Sequence, residues 1–457
     1  MTRSLYRYAA GVLLGATALS GPAGAHTLYD HGDTLIDFDF EAAAGIFNSS
    51  EAYAQVLRAE EASPTWLEGY AKYGLSAAQN LAGAGTLYGA FNLLSSATRG
   101  DGDAGGFTTG KEEDTQVEDA YIGWRSGDLV PWLGEDGIDL SFGSQNFTIG
   151  DGFLVNGDSL NFGEGFEPLA EAGIAPNGLS RGGAYWLAAR KAFDQTAILR
   201  LGGQTGVHLD AFWLDSDNKA QAEMELAGVN LEYRDATYGT VGVTYLEGLD
   251  VDDESAEFLG YGHRDGQKTL AVRANGSLGV PSLFVSAEYV DQDNGDDYLG
   301  AGDDGDDHAW YGEAGWTFTD APWAPKLTYR YSSFSDGFDP LFFGFNRGYG
   351  TWFQGEVAAN YAGPFNSDTD VHHVGLVLAP SPTVEFGALF FEFEDAGQGF
   401  LDGNELDLYA QWVVNDHLVL SPLVGFYTPD VSAADGGTQI GNDDTNMYSQ
   451  VIAIVNF

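Results

Sequence analysis

The sequence predicts an all-β protein: a single closed antiparallel transmembrane barrel of about eighteen strands, with long external loops and short periplasmic turns. Three observations predict it. Residues 447–457 alternate strictly, with Met447, Val451, Ala453, Val455 and Phe457 on one face and Ser449 as the single polar member of that face, and the chain stops there on an aromatic. A period of two is a strand with unlike faces, and the closing strand of a barrel sets one face against lipid and pairs its edge with the first strand. Connections between such segments alternate in length. Finally, the N-terminus carries an export address, yet no later stretch approaches ~18 uninterrupted apolar residues, the least a membrane helix needs.

The address spans residues 1–25: Arg3 and Arg7, an apolar run over 9–19, and Ala23-Gly24-Ala25 in the small-x-small form of a cleavage site. This reads as a secretory signal peptide, leaving residues 26–457 as the barrel of a Gram-negative outer membrane. There is no cysteine, which excludes disulfides, thiol catalysis and cysteine metal sites in an exported chain. Acids outnumber bases 68 to 19, and loss of Arg3 and Arg7 takes the charge from −49 to −51. Such a charge repels nucleic acid. Glycine, at 63, suits bending strands, and 10 Trp, 23 Tyr and 29 Phe suit the aromatic girdles of a barrel.

Strands are expected at 34–46, 66–78, 86–98, 118–125, 138–148, 184–201, 207–214, 223–234 and 240–251. Nine more follow at 268–277, 282–289, 309–318, 326–333, 371–378, 384–394, 405–414, 419–427 and 447–457. In 326–332, Leu327, Tyr329 and Tyr331 oppose Lys326, Thr328, Arg330 and Ser332; the apolar set faces lipid and the polar set the lumen. Short connections (202–206, 235–239, 279–281, 379–383, 415–418) hold Gly, Pro, Asn or Asp, whereas long ones such as 100–116, 150–183 and 291–308 are polar and acidic. A crossing at 350–361 would put the short turns on the wrong side downstream, so 336–370 is expected as one external loop.

Bases inside strands are candidate pore-lining residues: Arg125, Arg190, Arg200, Arg234, Arg273, Lys326 and Arg330. A charge on the lipid face at mid-bilayer costs roughly 2–4 kcal/mol, so these face inward. They read either as a ladder of guanidinium groups for carboxylates or sulfates, or as internal ion pairs with Glu232, Glu288, Glu385, Glu392, Glu405 and Asp407. The loop 336–370 is too apolar to be freely solvated, and Phe338, Phe342, Arg347, Tyr349 and Trp352 mark it as a candidate constriction. It docks at the barrel mouth, at the outer lipid interface, or stands as an external hairpin. The acidic run 291–307 fails the spacing of a helical calcium loop, so no cofactor is expected beyond weak Ca²⁺ binding at acidic loops. No Ser–His pair or histidine–carboxylate spacing marks an enzyme.

Residues 403–412 (Gly-Asn-Glu-Leu-Asp-Leu-Tyr-Ala-Gln-Trp) followed by 415–421 (Asn-Asp-His-Leu-Val-Leu-Ser) resemble the penultimate hairpin of the alginate export family of outer-membrane barrels. Residues 338–344 with 348–352, and Gly143-Ser-Gln-Asn-Phe147, also resemble members of that family, so that the likeness spans 116–457. It implies an eighteen-stranded monomeric barrel that passes a polar solute, an anionic saccharide or organic acid, through a lumen with arginines. The chain departs from the family at Ser144, where related chains carry Arg, and in its scarcity of bases. A general diffusion porin and a structural barrel displaying acidic loops are the alternatives. The expected partners are outer-membrane lipid and lipopolysaccharide, the barrel-assembly machinery through Phe457, and a polar small molecule or polysaccharide.

Overall fold

The computed structural model describes residues 25–54, 56, 62–294, 306–349, 355–362, 368–395 and 402–456. All eighteen predicted strands are present in it, preceded by a short strand that the sequence reading missed, β1 (Ala25–His31). In chain order they are β2 (Thr34–Ser49), β3 (Thr65–Asn80), β4 (Thr86–Gly100), β5 (Glu113–Arg125), β6 (Ile138–Ser144), β7 (Gln195–Leu201), β8 (Gly206–Asp215), β9 (Glu225–Asp235) and β10 (Gly239–Asp250). The ring continues through β11 (Lys268–Gly276), β12 (Leu283–Asp293), β13 (Asp306–Thr317), β14 (Lys326–Phe334), β15 (Thr369–Ser381), β16 (Val384–Asp395), β17 (Gly403–Asn415), β18 (Leu418–Pro429) and β19 (Asn446–Asn456). Every strand pairs antiparallel with its sequence neighbours, and β19 closes the ring on β2, with Tyr448 opposite Ser49 and Asn456 opposite Glu41. Closure leaves no open sheet edge within the ring, which is what lets strands cross a hydrocarbon layer. Of the predicted signal peptide, 1–25, all but Ala25 lies outside the described residues, as does Phe457.

Side-chain alternation fixes the two faces of the wall. In β11, Leu270 and Val272 are 45% and 51% exposed, while Thr269, Ala271 and Arg273 between them are buried. In β14, Leu327 and Tyr329 are exposed and Arg330 and Ser332 are buried. An exterior of exposed Val, Leu, Phe, Tyr and Trp around buried Arg, Glu and Asn inverts the pattern of a protein in water and fits one in lipid. No helix among the described residues is long and apolar enough to cross a membrane; the strands cross. This is an outer-membrane barrel.

Two expectations about elements are corrected. The strand expected over 138–148 ends at Ser144, and the one expected over 184–201 begins only at Gln195. Between them, 145–194 runs into the lumen, where Ala184, Tyr185, Trp186, Leu187 and Ala188 are buried on every side. Ala184 and Ala188 take positive φ values of 62° and 42°, which no strand accommodates. Arg190, expected on a strand, therefore sits on this inserted segment.

Inserted segments fill much of the ring with two apolar cores. One gathers Phe47, Trp66, Trp186, Tyr361, Tyr427 and Tyr448. The other gathers Phe153, Phe193, Phe212, Phe338, Phe342 and Phe345. Burying each such ring is worth roughly 1.5–3 kcal/mol, enough to hold irregular backbone inside the barrel.

Candidate functional site

The candidate site is the inner wall from β3 to β14 and the two segments packed against it. Hairpin register brings charges of opposite sign face to face. Lys72 of β3 reaches Asp119 of β5 at 3.4 Å, Arg125 of β5 reaches Asp139 of β6 at 3.3 Å, and Arg200 of β7 reaches Asp210 of β8 at 3.8 Å. Asn230 of β9 donates to Asp210 at 2.9 Å. Glu232, also of β9, accepts from Arg234 at 2.6 Å and from Arg273 of β11, which donates to Thr244 of β10 at 2.7 Å as well. Arg273 fits because Gly242 lies beneath it: a Cβ there would come within 2.9 Å of the guanidinium. Glu313 of β13 stands 3.8 Å from Arg330 of β14.

The result is a belt of ion pairs and not a bare cationic ladder. Arg125, Arg200, Arg234, Arg273 and Arg330 all face the lumen, and each has a carboxylate partner. Lys326 places its ammonium 5.4 Å above the ring of Phe284 and forms no ion pair with a described carboxylate. Arg190 is buried on the inserted segment, 3.6 Å from Glu118 and 3.5 Å from Asp217. Of the carboxylates expected as partners, Glu232 serves as one, whereas Glu392 lies on the outer face, in register with His372.

The belt has two tiers. Arg125, Arg200 and Arg234 keep 45%, 32% and 33% of their side-chain surface open. With the half-buried Lys326 they stand at one end of the strands: Arg125 before the 126–137 connection, Arg200 and Arg234 before the turns 202–205 and 236–238, and Lys326 after 318–325. Arg273 and Arg330 lie farther along their strands, each with 4% of the side chain exposed, because inserted segments cover them.

The covering structure is a crossbar made of two segments. Residues 149–156 and 342–347 run side by side, joined by a parallel bridge between Val155 and Phe342. The amides of Asn156 and Gly344 donate to the carbonyls of Phe342 and Gly152, both at 2.8 Å. Asp151 ties the first segment to the wall by accepting from Ser286 of β12 at 2.9 Å and Tyr311 of β13 at 2.7 Å. Arg347 ties the second: Nη1 and Nη2 donate to the two oxygens of Glu313 at 3.1 and 2.9 Å, and Nε donates to Asp151 at 2.7 Å.

The remaining loop residues are placed as follows. Phe338 and Phe342 are buried against the second apolar core, and the ring of Phe342 meets Phe193 edge-on at 4.9 Å. Tyr349 stacks on Tyr409 of β17 with centroids 3.8 Å apart. Trp352 lies outside the described residues. At the long-loop end, Arg264 grips Asp339 with bonds of 2.7 and 2.8 Å, stacks on Tyr261 at 3.7 Å and donates to Gln221 at 2.9 Å. His263 adds a 2.9 Å contact to Asp339. Burial pushes the Asp339 carboxyl up, but Arg264 and His263 outweigh it and hold the group well below the usual carboxylate range. Among the described residues no group of three or more carboxylate or histidine side chains is placed to hold a metal ion. Most of the acidic run 291–307 expected as a weak Ca²⁺ loop, 295–305, lies outside the described residues.

Sequence reasoning missed Asp151, Tyr311, Glu313 and the Arg264–Asp339 latch. A signal existed for Glu313: across the short turn after β13 it stands directly opposite Arg330.

No known family model matches the chain, and no curated protein matches it. Among solved structures, OccK5 (OpdH) of Pseudomonas aeruginosa superposes with a TM-score of 0.53 at 10% identity, covering 92% of this chain and 98% of that one. OpdQ of Pseudomonas aeruginosa gives 0.52 at 12%, covering 93% and 98%. OccAB4 of Acinetobacter baumannii gives 0.53 at 10%, covering 92% and 98%. These likenesses show the fold, a closed β-barrel of the outer-membrane type; they do not place the chain in the alginate export family.

Proposed function

We propose that this barrel is an outer-membrane channel for small polar solutes bearing a carboxylate, such as organic acids or short anionic saccharides. The observation that carries the reading is the open tier of Arg125, Arg200, Arg234 and Lys326, spread over four strands at one level of the lumen. Each arginine spends part of its donor fork on a carboxylate of the wall and has further N–H groups for a passing anion. The two tiers give such a solute successive stops of similar chemistry, the arrangement conduction needs.

A general diffusion porin is favoured by one observation: every arginine on the wall is already paired, so the belt carries little net charge. Export of a long alginate-like polyanion, the finer reading offered by the resemblance of 403–421, 338–352 and 143–147 to the alginate export family, is supported by that resemblance alone. The crossbar favours small solutes over a polymer.

Liposome swelling separates these readings. Gluconate and glucose are close in size and differ in charge. A carboxylate channel admits gluconate faster, and replacing Arg125, Arg200 and Arg234 together by Gln removes the preference. Equal rates for both solutes would leave the general porin. A barrel that passes neither and carries no steady current would be a structural one.

A further inference from the structure

The hydrogen-bond partners of Arg347 are two carboxylates, Asp151 and Glu313, and each of them has another place to go. Glu313 lies between two guanidinium groups, with Arg347 at 2.9 Å and Arg330 at 3.8 Å. Asp151, released by Arg347, keeps the hydroxyl donors of Ser286 and Tyr311. Wall and first segment therefore stay satisfied when Arg347 leaves, and the cost of leaving falls on Arg347 itself. A solute carboxylate would remove that cost, since a guanidinium fork accepts any carboxylate in the same two-bond geometry. Arg347 is not sealed off: 16% of its side chain is exposed. It also stacks on Phe284 at 4.8 Å, the ring that carries the Lys326 ammonium of the open tier.

We infer that Arg347 is a carboxylate-binding site on the crossbar, and that a solute carboxylate taking the place of Asp151 and Glu313 there unlatches 342–347 from the wall. Glu313 moves onto Arg330 as Arg347 moves onto the solute. The crossbar is thus opened by the solute it admits. This rests on the reading of the channel as one for carboxylate solutes, and the two are separable by experiment.

Single-channel recordings of the whole barrel in planar bilayers test it, with gluconate replacing chloride at constant ionic strength. Gluconate should shorten closed dwell times roughly tenfold, the effect of about 1.4 kcal/mol. Arg347→Gln should remove the dependence on gluconate. Asp151→Asn, which keeps an acceptor for Ser286 and Tyr311 but loses the charge, should give short closures in chloride alone. A second arm does not depend on those variants folding. The chain has no cysteine, and Val155 and Phe342 face each other as bridge partners, the pair of positions at which a cross-link would join the two segments. With Val155→Cys and Phe342→Cys oxidised, the 342–347 segment stays with 149–156 and the gluconate effect should vanish, returning on reduction. Gluconate dependence that survives in Arg347→Gln, or that is the same in the oxidised and reduced cysteine pair, overturns the inference. Failure of the parent reading looks different: glucose and gluconate then swell liposomes at equal rates, whatever the dwell times do.

Discussion

Replacing Arg264 by Ala should release the long-loop end of 338–347 without unfolding the barrel. The guanidinium is almost fully buried, with 1% of its side chain exposed, and it makes two bonds to Asp339 and one to the Gln221 side chain. Truncation leaves Asp339 buried with His263 at 2.9 Å and the Leu341 amide at 2.9 Å as remaining partners. Breaking a buried pair from one side costs roughly 3–5 kcal/mol, and the surviving contacts put this case toward the lower end. A change of 3 kcal/mol raises the undocked population about 150-fold. Trypsin reads that population, because Arg347 is a cleavage site that docking hides, and cleavage tracks the open fraction while reclosing is fast. Heat modifiability on gels reports the barrel separately. The double variant Arg264→Met with Asp339→Asn removes both charges and should restore most of the protection, since the loss comes from an uncompensated charge more than from a missing bond. If Arg264→Ala is cut after Arg347 no faster than the parent, the latch does not hold the loop.

Other outcomes follow from the same contacts. Because the Asp339 carboxyl is held below its ordinary value of 3.8, the docking it supplies is complete above about pH 4 and declines as acidification protonates the carboxylate; amide hydrogen exchange of 338–347, corrected for the intrinsic rate at each pH, should show constant protection from pH 7 to 4 and a loss of protection below that. Deleting residues 340–355 should enlarge single-channel conductance in a barrel that stays heat-modifiable, and unchanged conductance would mean the loop does not narrow the pore. The exported chain's charge of −51 (−49 less Arg3 and Arg7) concentrates cations at the mouth, so reversal potentials should show cation preference at low salt that fades toward molar salt; anion preference at every salt concentration would contradict this. Deleting Phe457 should lower the yield of membrane-inserted barrel, and normal insertion without it would remove its role as an assembly signal.

The strands were legible because each has one apolar face and turn residues at its ends, so a period of two located all eighteen. The inserted backbone was not legible in the same way. Residues 184–188 are apolar, and a segment buried all round in a lumen reads like a strand until its backbone angles are known. The inward direction of the arginines followed from their neighbours, but their pairing did not, because it depends on register. For Arg200 the information was present: folding the chain at the turn after β7 sets it opposite Asp210. For Arg273 it was not, since the residue opposite is Glu288 while the bond goes two strands away to Glu232. Asp151 and Arg347, 196 positions apart in sequence, meet only through the docking of two loops.

The short strand β1 gives the seam of the barrel a mechanical property. It occupies the same edge of β2 that receives β19: with residues 1–25 removed it begins at His26, opposite Phe38, while Asn456 stands opposite Glu41, and two residues of β2, Asp39 and Phe40, separate the two footings. A strand slips in steps of two if its faces are to be kept. In one direction such a step drives β19 into β1; in the other it strips backbone partners from its outer end. The first strand thus acts as a doorstop for the last, fixing the stagger at which the ring shuts.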